Sequence, residues 1–191
     1  KNKEEAHFSD SQIIEYIEQD IVKLQQVSDR FSKIGSKSSL KHESIRSVLL
    51  EAEEYIRPRA SKKIVFQFPV KEQQDYSILM NKNLFSWVLE NLLRNSLDAM
   101  DDQGKISISY YQHSDRLLIE ISDTGKGILP GKFQTIFKPG FTTKERGWGL
   151  GLSLSKRIIE DYHGGKIYVK ESISNIKTTF VIELKMGETK S

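Results

Sequence analysis

From Leu84 to Met100 the apolar residues recur at helical spacing, and this run constrains the fold more than any other stretch. Phe85, Val88, Leu89, Leu92, Ala99 and Met100 share one stripe, so the helix must lie on a core. Along the border of that stripe Asn91, Asn95 and Asp98 fall at i, i+4 and i+7, a single line on the helix surface. Amides beside an apolar stripe cost stability unless they are partnered. One such Asn would be explained by capping a neighbouring loop. Two amides and a carboxylate in register point to a ligand.

The remaining chain supplies what this helix packs on. With 191 residues it can bury one core and carry an appended element. A seam of Ile14, Ile17, Ile21, Leu24 and Phe31 predicts a helix from Asp10 to about Ile34, which needs a sister helix or a second protomer to cover it. Gly35 to Ser39 breaks the pattern. A second helix is expected from Glu43 to Arg57, before Pro58, and a strand from Ile64 to Val70. Tyr76 to Met80 reads as a short strand, with Asn81 as cap of the central helix. Two hairpins follow, Gly104–Tyr111 with Arg116–Ser122, and Gly165–Glu171 with Lys177–Lys185. The pattern predicts an α+β two-layer sandwich, a mixed sheet with helices on one face, preceded by one long helix. The expected divisions are an appended helix over 1–34, a linker over 35–42, a main domain over 43–187 and a tail over 188–191.

Several classes are disfavoured. A net charge of +3 with interspersed signs gives no argument for nucleic acid or a membrane surface. The chain has no cysteine, and His7, His42, His113 and His163 match no metal-ligand spacing. No signal peptide opens it, and no apolar run nears the ~18 residues of a membrane span. Beginning at Lys1, it reads as a piece of something longer.

Two glycine-rich stretches lie between the hairpins. Asp123-Thr124-Gly125-Lys126-Gly127-Ile128 follows a strand directly, so its Asp is a fixed acceptor that could read an exocyclic amine. Ordinary turn chemistry is the competing explanation. Gly147-Trp148-Gly149-Leu150-Gly151-Leu152 opens a helix carrying Leu150, Leu154 and Ile158, and its unpaired N–H groups suit an anion. The spacing fits neither the Walker loop nor the Rossmann fingerprint. Leu129 to Arg146 is a long loop rich in Lys132, Lys138, Lys144 and Arg146, which suits a lid over phosphates.

In this order, the three stretches resemble the ATP-binding domain of sensor histidine kinases, in the superfamily shared with DNA gyrase, Hsp90 and MutL. Asn91-Leu-Leu-Arg-Asn95 is similar to the family's N box, and Asp123 to Gly127 to its first glycine box. Gly147 to Gly151 is similar to the second, and Phe137 to the F box of the lid. The short lid with Phe141-Thr142-Thr143-Lys144 resembles the nitrogen-regulatory branch, whereas Trp148 departs from the usual small residue.

The resemblance implies a Bergerat fold, ATP and Mg²⁺ as cofactors, and phosphoryl transfer to a histidine. It implies Asn95 as the metal ligand and Asn91, Arg94 and Lys144 as the catalytic set around the phosphates. Asp123 would take the adenine amine, with Gly125, Gly127 and Ile128 shaping the base pocket and Thr178 at its floor. Asp98, Phe137, Thr142, Thr143, Gly147, Gly149, Leu150, Gly151 and Leu152 complete the implied nucleotide contacts. Where related hydrolases place a water-activating Glu, this chain has Asn91, an amide that takes no proton, so transfer is expected over hydrolysis. The family's acceptor motif, His-Glu-x-Arg/Lys-x-Pro, is matched neither at His7 nor at His42-Glu43-Ser44-Ile45-Arg46-Ser47. The expected partners are therefore a histidine-bearing helical hairpin, a response regulator receiver domain and a second protomer of the parent, in a bacterial cytoplasm and with no nucleic acid or membrane contact by this segment. An anti-sigma-type serine kinase and a non-catalytic ATP-binding module remain alternatives. An aspartic protease read from Asp123-Thr124-Gly125 leaves the other two motifs unexplained.

Overall fold

The computed structural model describes Ser9, Ile14, Glu18 and Ile21, and then residues 39–69, 73–144 and 147–186. Two compact units result, Lys1–Ser38 and Ser39–Ser191. In the first, Ile14, Glu18 and Ile21 are helical and exposed; Ile17, Leu24 and Phe31 lie outside the described residues, as do Glu145 and Arg146.

The second unit is built on a five-stranded mixed sheet in the order β2-β4-β5-β7-β6. These strands are β2 (Lys63–Gln67), β4 (Gln103–His113), β5 (Arg116–Asp123), β6 (Lys166–Ile173) and β7 (Lys177–Lys185). Both predicted hairpins form, with Ile108 opposite Ile121 in one and Val169 opposite Phe180 in the other. The parallel pairing is β2 with β4, whose connection runs through the central helix and returns in the same direction. Alternation along each strand sends Ile106, Ile108, Leu117, Ile119, Ile121, Phe180, Ile182 and Leu184 to one buried face.

On that face lie α1 (Ile45–Ile56), α2 (Lys82–Ala99) and α3 (Gly151–Arg157), the last running on as a π-helical turn at Ile158–Tyr162. α2 packs on α1, on β5 and on α3, and is therefore the middle of the layer. Its cap is Asn81, whose Oδ1 accepts from Leu84 N at 3.0 Å, as its place before the helix predicts. Asn81 N–H in turn donates to His163 Nε2 at 3.0 Å, while His163 Nδ1–H donates to the Ile158 carbonyl at 2.8 Å. Burial lowers the His163 pKa, and these two bonds require the neutral imidazole. One side chain thus joins the start of α2 to the end of α3.

The strand expected over Ile64–Val70 ends at Gln67, before Pro69, and one element was not expected at all. Lys41–Ser44 forms a strand, β1, paired antiparallel with β3 (Ser77–Met80), and α1 begins only at Ile45. Ser44 then caps α1, its Oγ accepting from Ser47 N. The long loop also holds two 3₁₀ turns, Pro130–Lys132 and Thr135–Phe137.

Candidate functional site

α2 carries the polar line on its surface: Asn91 faces α3, while Asn95 and Asp98 share one partner. Asn91 Nδ2 donates to Ser155 Oγ on α3 at 2.9 Å. Asn95 Oδ1 accepts from Lys144 Nζ at 3.0 Å, and the same ammonium is 2.5 Å from Asp98 Oδ2. Lys144 comes from the lid, where its backbone N–H is held by Thr142 Oγ1 at 3.1 Å. The structure does not bring Arg94 into this cluster: its Nη2 donates to the Tyr55 hydroxyl of α1 at 2.7 Å.

The second part begins where β5 ends. Asp123 is 3 % exposed, with Oδ1 accepting from Gly125 N at 2.9 Å and Oδ2 from Ser96 Oγ at 3.0 Å. Burial raises its pKa, while the Gly125 and Ser96 donors oppose that shift. A carboxylate offers about four lone-pair sites, so two such donors leave capacity for a ligand amine. The turn after Asp123 is bolted down on two sides. Lys126 N donates to the Ala99 carbonyl and Asn175 N to the Gly125 carbonyl, both at 2.9 Å. A side chain on Gly125 would meet Ala99 at 2.6 Å, so this residue is glycine because the backbone passes so close to α2. Gly127 has φ +82°, a left-handed conformation. Ile128 N donates to Ser172 Oγ at 2.8 Å, and Ser172 also bonds the buried Thr178, which pairs with Asp123 across β5 and β7. Asp123, Gly125, Gly127, Ile128 and Thr178 are thus one connected group.

The loop from Leu129 to Lys144 is anchored at two places. Phe137 is buried edge-on against Phe180 of β7, with ring centroids 6.4 Å apart, and anchors the lid to the sheet. The stem is tied by Gly140 N donating to the Gly149 carbonyl at 3.1 Å. Gly147 lies against Thr142, Leu150 caps α3 and accepts from Leu154 N, and Leu152 is half-buried in the first turn. Thr143 is exposed. Gly151 sits directly against Asn91, whose Oδ1 lies 2.4 Å from where a side chain would begin.

Among the described residues no group of three or more His, Cys, Asp or Glu side chains could hold a metal. The oxygens of Asn95 and Asp98 nonetheless converge on one cation, the Lys144 ammonium. A neutral amide oxygen with a carboxylate is the hard-oxygen, low-count donor set that suits Mg²⁺ shared with phosphates. The residues therefore fit the nucleotide and the metal that the sequence implies.

Sequence reasoning missed Ser96 and Ser155. Both are 2 % exposed or less, and both lie among the apolar residues of their helices. A hydroxyl in such a stripe must find a partner, and that signal was present in the sequence. No helix among the described residues is long and apolar enough to cross a membrane.

Residues 80–188 match the model of the histidine kinase-, DNA gyrase B- and HSP90-like ATPase family. Over 98 residues, 51 % of this chain and 21 % of the relative, the sequence is 46 % identical to the sensor histidine kinase ZraS of Salmonella typhimurium. Sporulation kinase D of Bacillus subtilis is 29 % identical over 82 % of the chain and 31 % of its own length. The chain thus spans from about a fifth to a third of these relatives. Among solved structures, the catalytic domain of histidine kinase ThkA superposes with a TM-score of 0.63 at 32 % identity, covering 77 % of this chain and 99 % of that one. ThkA in complex with response regulator TrrA matches with a TM-score of 0.66 at 26 % identity, over 97 % of this chain and 55 % of that one. The chain belongs to the histidine kinase-, DNA gyrase B- and HSP90-like ATPase family and has the fold of a histidine kinase catalytic domain.

Proposed function

We propose that this domain binds Mg-ATP and transfers the γ-phosphoryl group to a histidine carried on a helical hairpin of its parent or of a partner protomer. From there the group passes to a receiver domain; ThkA is a histidine kinase solved together with a response regulator. On this reading residues 1–34 are the second helix of such a hairpin, 35–42 the linker, 43–187 the catalytic domain and 188–191 a tail. The division of the chain between Ser38 and Ser39 supports a boundary inside that linker, although Lys41 and His42 already belong to β1 of the second unit. The setting is a bacterial cytoplasm, with a dimeric parent.

Each residue has a task that the geometry supports. Asp123 accepts the base amine, and its burial excludes water that would compete for that bond. Asn95, assisted by Asp98, holds the metal, and Lys144 exchanges their oxygens for phosphate oxygens. When bound, Mg²⁺ draws charge from the phosphates. The amides from Gly149 to Leu152, with Thr142, Thr143 and Gly147 around them, hold the phosphate chain in line.

The observation that carries transfer over hydrolysis is Asn91. It is an amide, with Nδ2 donating to Ser155 and Oδ1 packed against Gly151, so no carboxylate stands there to take a proton from water. Asn95→Ala should fold normally and lose about tenfold or more of the Mg²⁺-dependent part of ATP affinity. Calorimetric titration with and without Mg²⁺ checks this. An unchanged Mg²⁺ dependence would remove Asn95 from the metal site.

A further inference from the structure

Ser155 is 0 % exposed on the face of α3 that also carries Leu154, Ile158 and Ile159, each no more than 4 % exposed. Alanine would satisfy packing there, and a hydroxyl in such a place costs stability unless it is bonded. Its bond is to Asn91 Nδ2, at 2.9 Å, across the contact between α2 and α3. A second observation concerns the other end of the same amide. Asn91 Oδ1 lies so close to Gly151 that a side chain there would begin 2.4 Å away. Asn91 is therefore bonded at its Nδ2 end to Ser155 and packed at its Oδ1 end against Gly151, with Asn95 and Asp98 following along the same line of α2.

We propose that Ser155 is a positioning residue: through Asn91 it fixes where the Gly147–Gly151 segment lies against α2, and so sets the grip on a triphosphate that it does not touch. This rests on the nucleotide reading given above. The physical basis is register. Apolar contacts between two helix faces are non-directional, so packing alone specifies their alignment, in steps of about 1.5 Å per residue, less sharply than a bonded pair does. The Asn81–His163 bond holds the far end of this contact, and the Ser155–Asn91 pair fixes it beside the glycine segment, because any slip there leaves a buried hydroxyl and a half-buried amide unpaired. The base end, held by Asp123, Ser96 and Gly125, shares no residue with this pair. Phosphate binding and base binding are therefore separable by substitution at Ser155.

The test is Ser155→Ala, with calorimetric affinities for ATP and for adenosine, and a melting curve. The expected result is about a tenfold loss for ATP, adenosine within twofold of wild type, and cooperative melting. Asn91→Ala, which also removes a group beside the phosphates, should lose at least as much, and the double variant no more than Asn91→Ala alone, because both break the Ser155–Asn91 bond. If Ser155→Ala does not fold, Ser155→Cys, close in shape and weak in hydrogen bonding, takes its place. Equal losses for ATP and adenosine, or additive losses in the double variant, would overturn the inference. Wild-type protein that binds adenosine and ATP equally weakly would instead overturn the nucleotide reading, and this inference with it.

Discussion

Asp123→Asn should leave the domain folded and lower its affinity for ATP on the order of a hundredfold, the largest loss from a nearly isosteric change in this site. The wild-type carboxylate accepts from Gly125 N–H and from the Ser96 hydroxyl and still has acceptor capacity. An asparagine has one acceptor oxygen, and the fixed Gly125 N–H claims it. Its NH₂ then faces Ser96, whose hydroxyl can rotate to accept, and the base amine meets a donor where it needs an acceptor. Stability should change little. Burial raises the Asp123 pKa, so the folded state holds a proton in a range where the unfolded chain, near 3.8, has lost it. The ionised group therefore costs stability once the pH has risen above its folded pKa, and the neutral amide escapes that cost. Calorimetric titration gives the affinity, and competition with GTP gives the selectivity. An Asn variant that binds ATP as wild type does would reduce Asp123 to a turn residue.

Gly149→Ala should be nearly as damaging to binding, for a mechanical reason. Gly149 has φ +64°, and a methyl group there would lie 2.4 Å from the Gly140 carbonyl carbon and 2.6 Å from the Phe141 carbonyl oxygen. Both obstacles are backbone, so the stem bond from Gly140 N to the Gly149 carbonyl must break. The left-handed conformation adds about 1 kcal/mol for alanine. We expect ATP affinity to fall roughly thirtyfold or more, through lost lid geometry and a lost stem hydrogen bond. The internal control is Gly140→Ala. Gly140 also has positive φ, at +82°, but nothing stands within 4 Å of its added methyl. That variant should lose only the conformational contribution, about fivefold. Equal losses for the two would show that strain, and not the crossing of the stem, controls the lid.

What the sequence revealed follows a physical pattern. The central helix, its Asn81 cap and both hairpins were legible because apolar periodicity and turn chemistry are local signals. β1 was not, because Lys41, His42, Glu43 and Ser44 form a short polar edge. Their pairing with Ser77–Met80 depends on a fold that brings distant residues together. The line of Asn91, Asn95 and Asp98 was visible from spacing, but its partners were not. Spacing on one helix cannot say that Asn91 turns to Ser155, Asn95 to Lys144 and Arg94 to Tyr55. Ser96 and Ser155 were passed over because each is a single small residue in an apolar run. Their near-complete burial shows that such a serine should be read as half of a bond.

A domain that transfers the γ-phosphoryl group of ATP to histidine differs from a hydrolase in where that group goes. The direct measurement is label transfer from γ-labelled ATP with Mg²⁺, to the protein alone and to a separately supplied helical hairpin domain bearing a histidine, with released phosphate followed in parallel. The expected result is acid-labile label on the supplied hairpin, none on this chain alone, and little free phosphate. Stoichiometric self-labelling at His7 or His42, or rapid phosphate release without transfer, would contradict it.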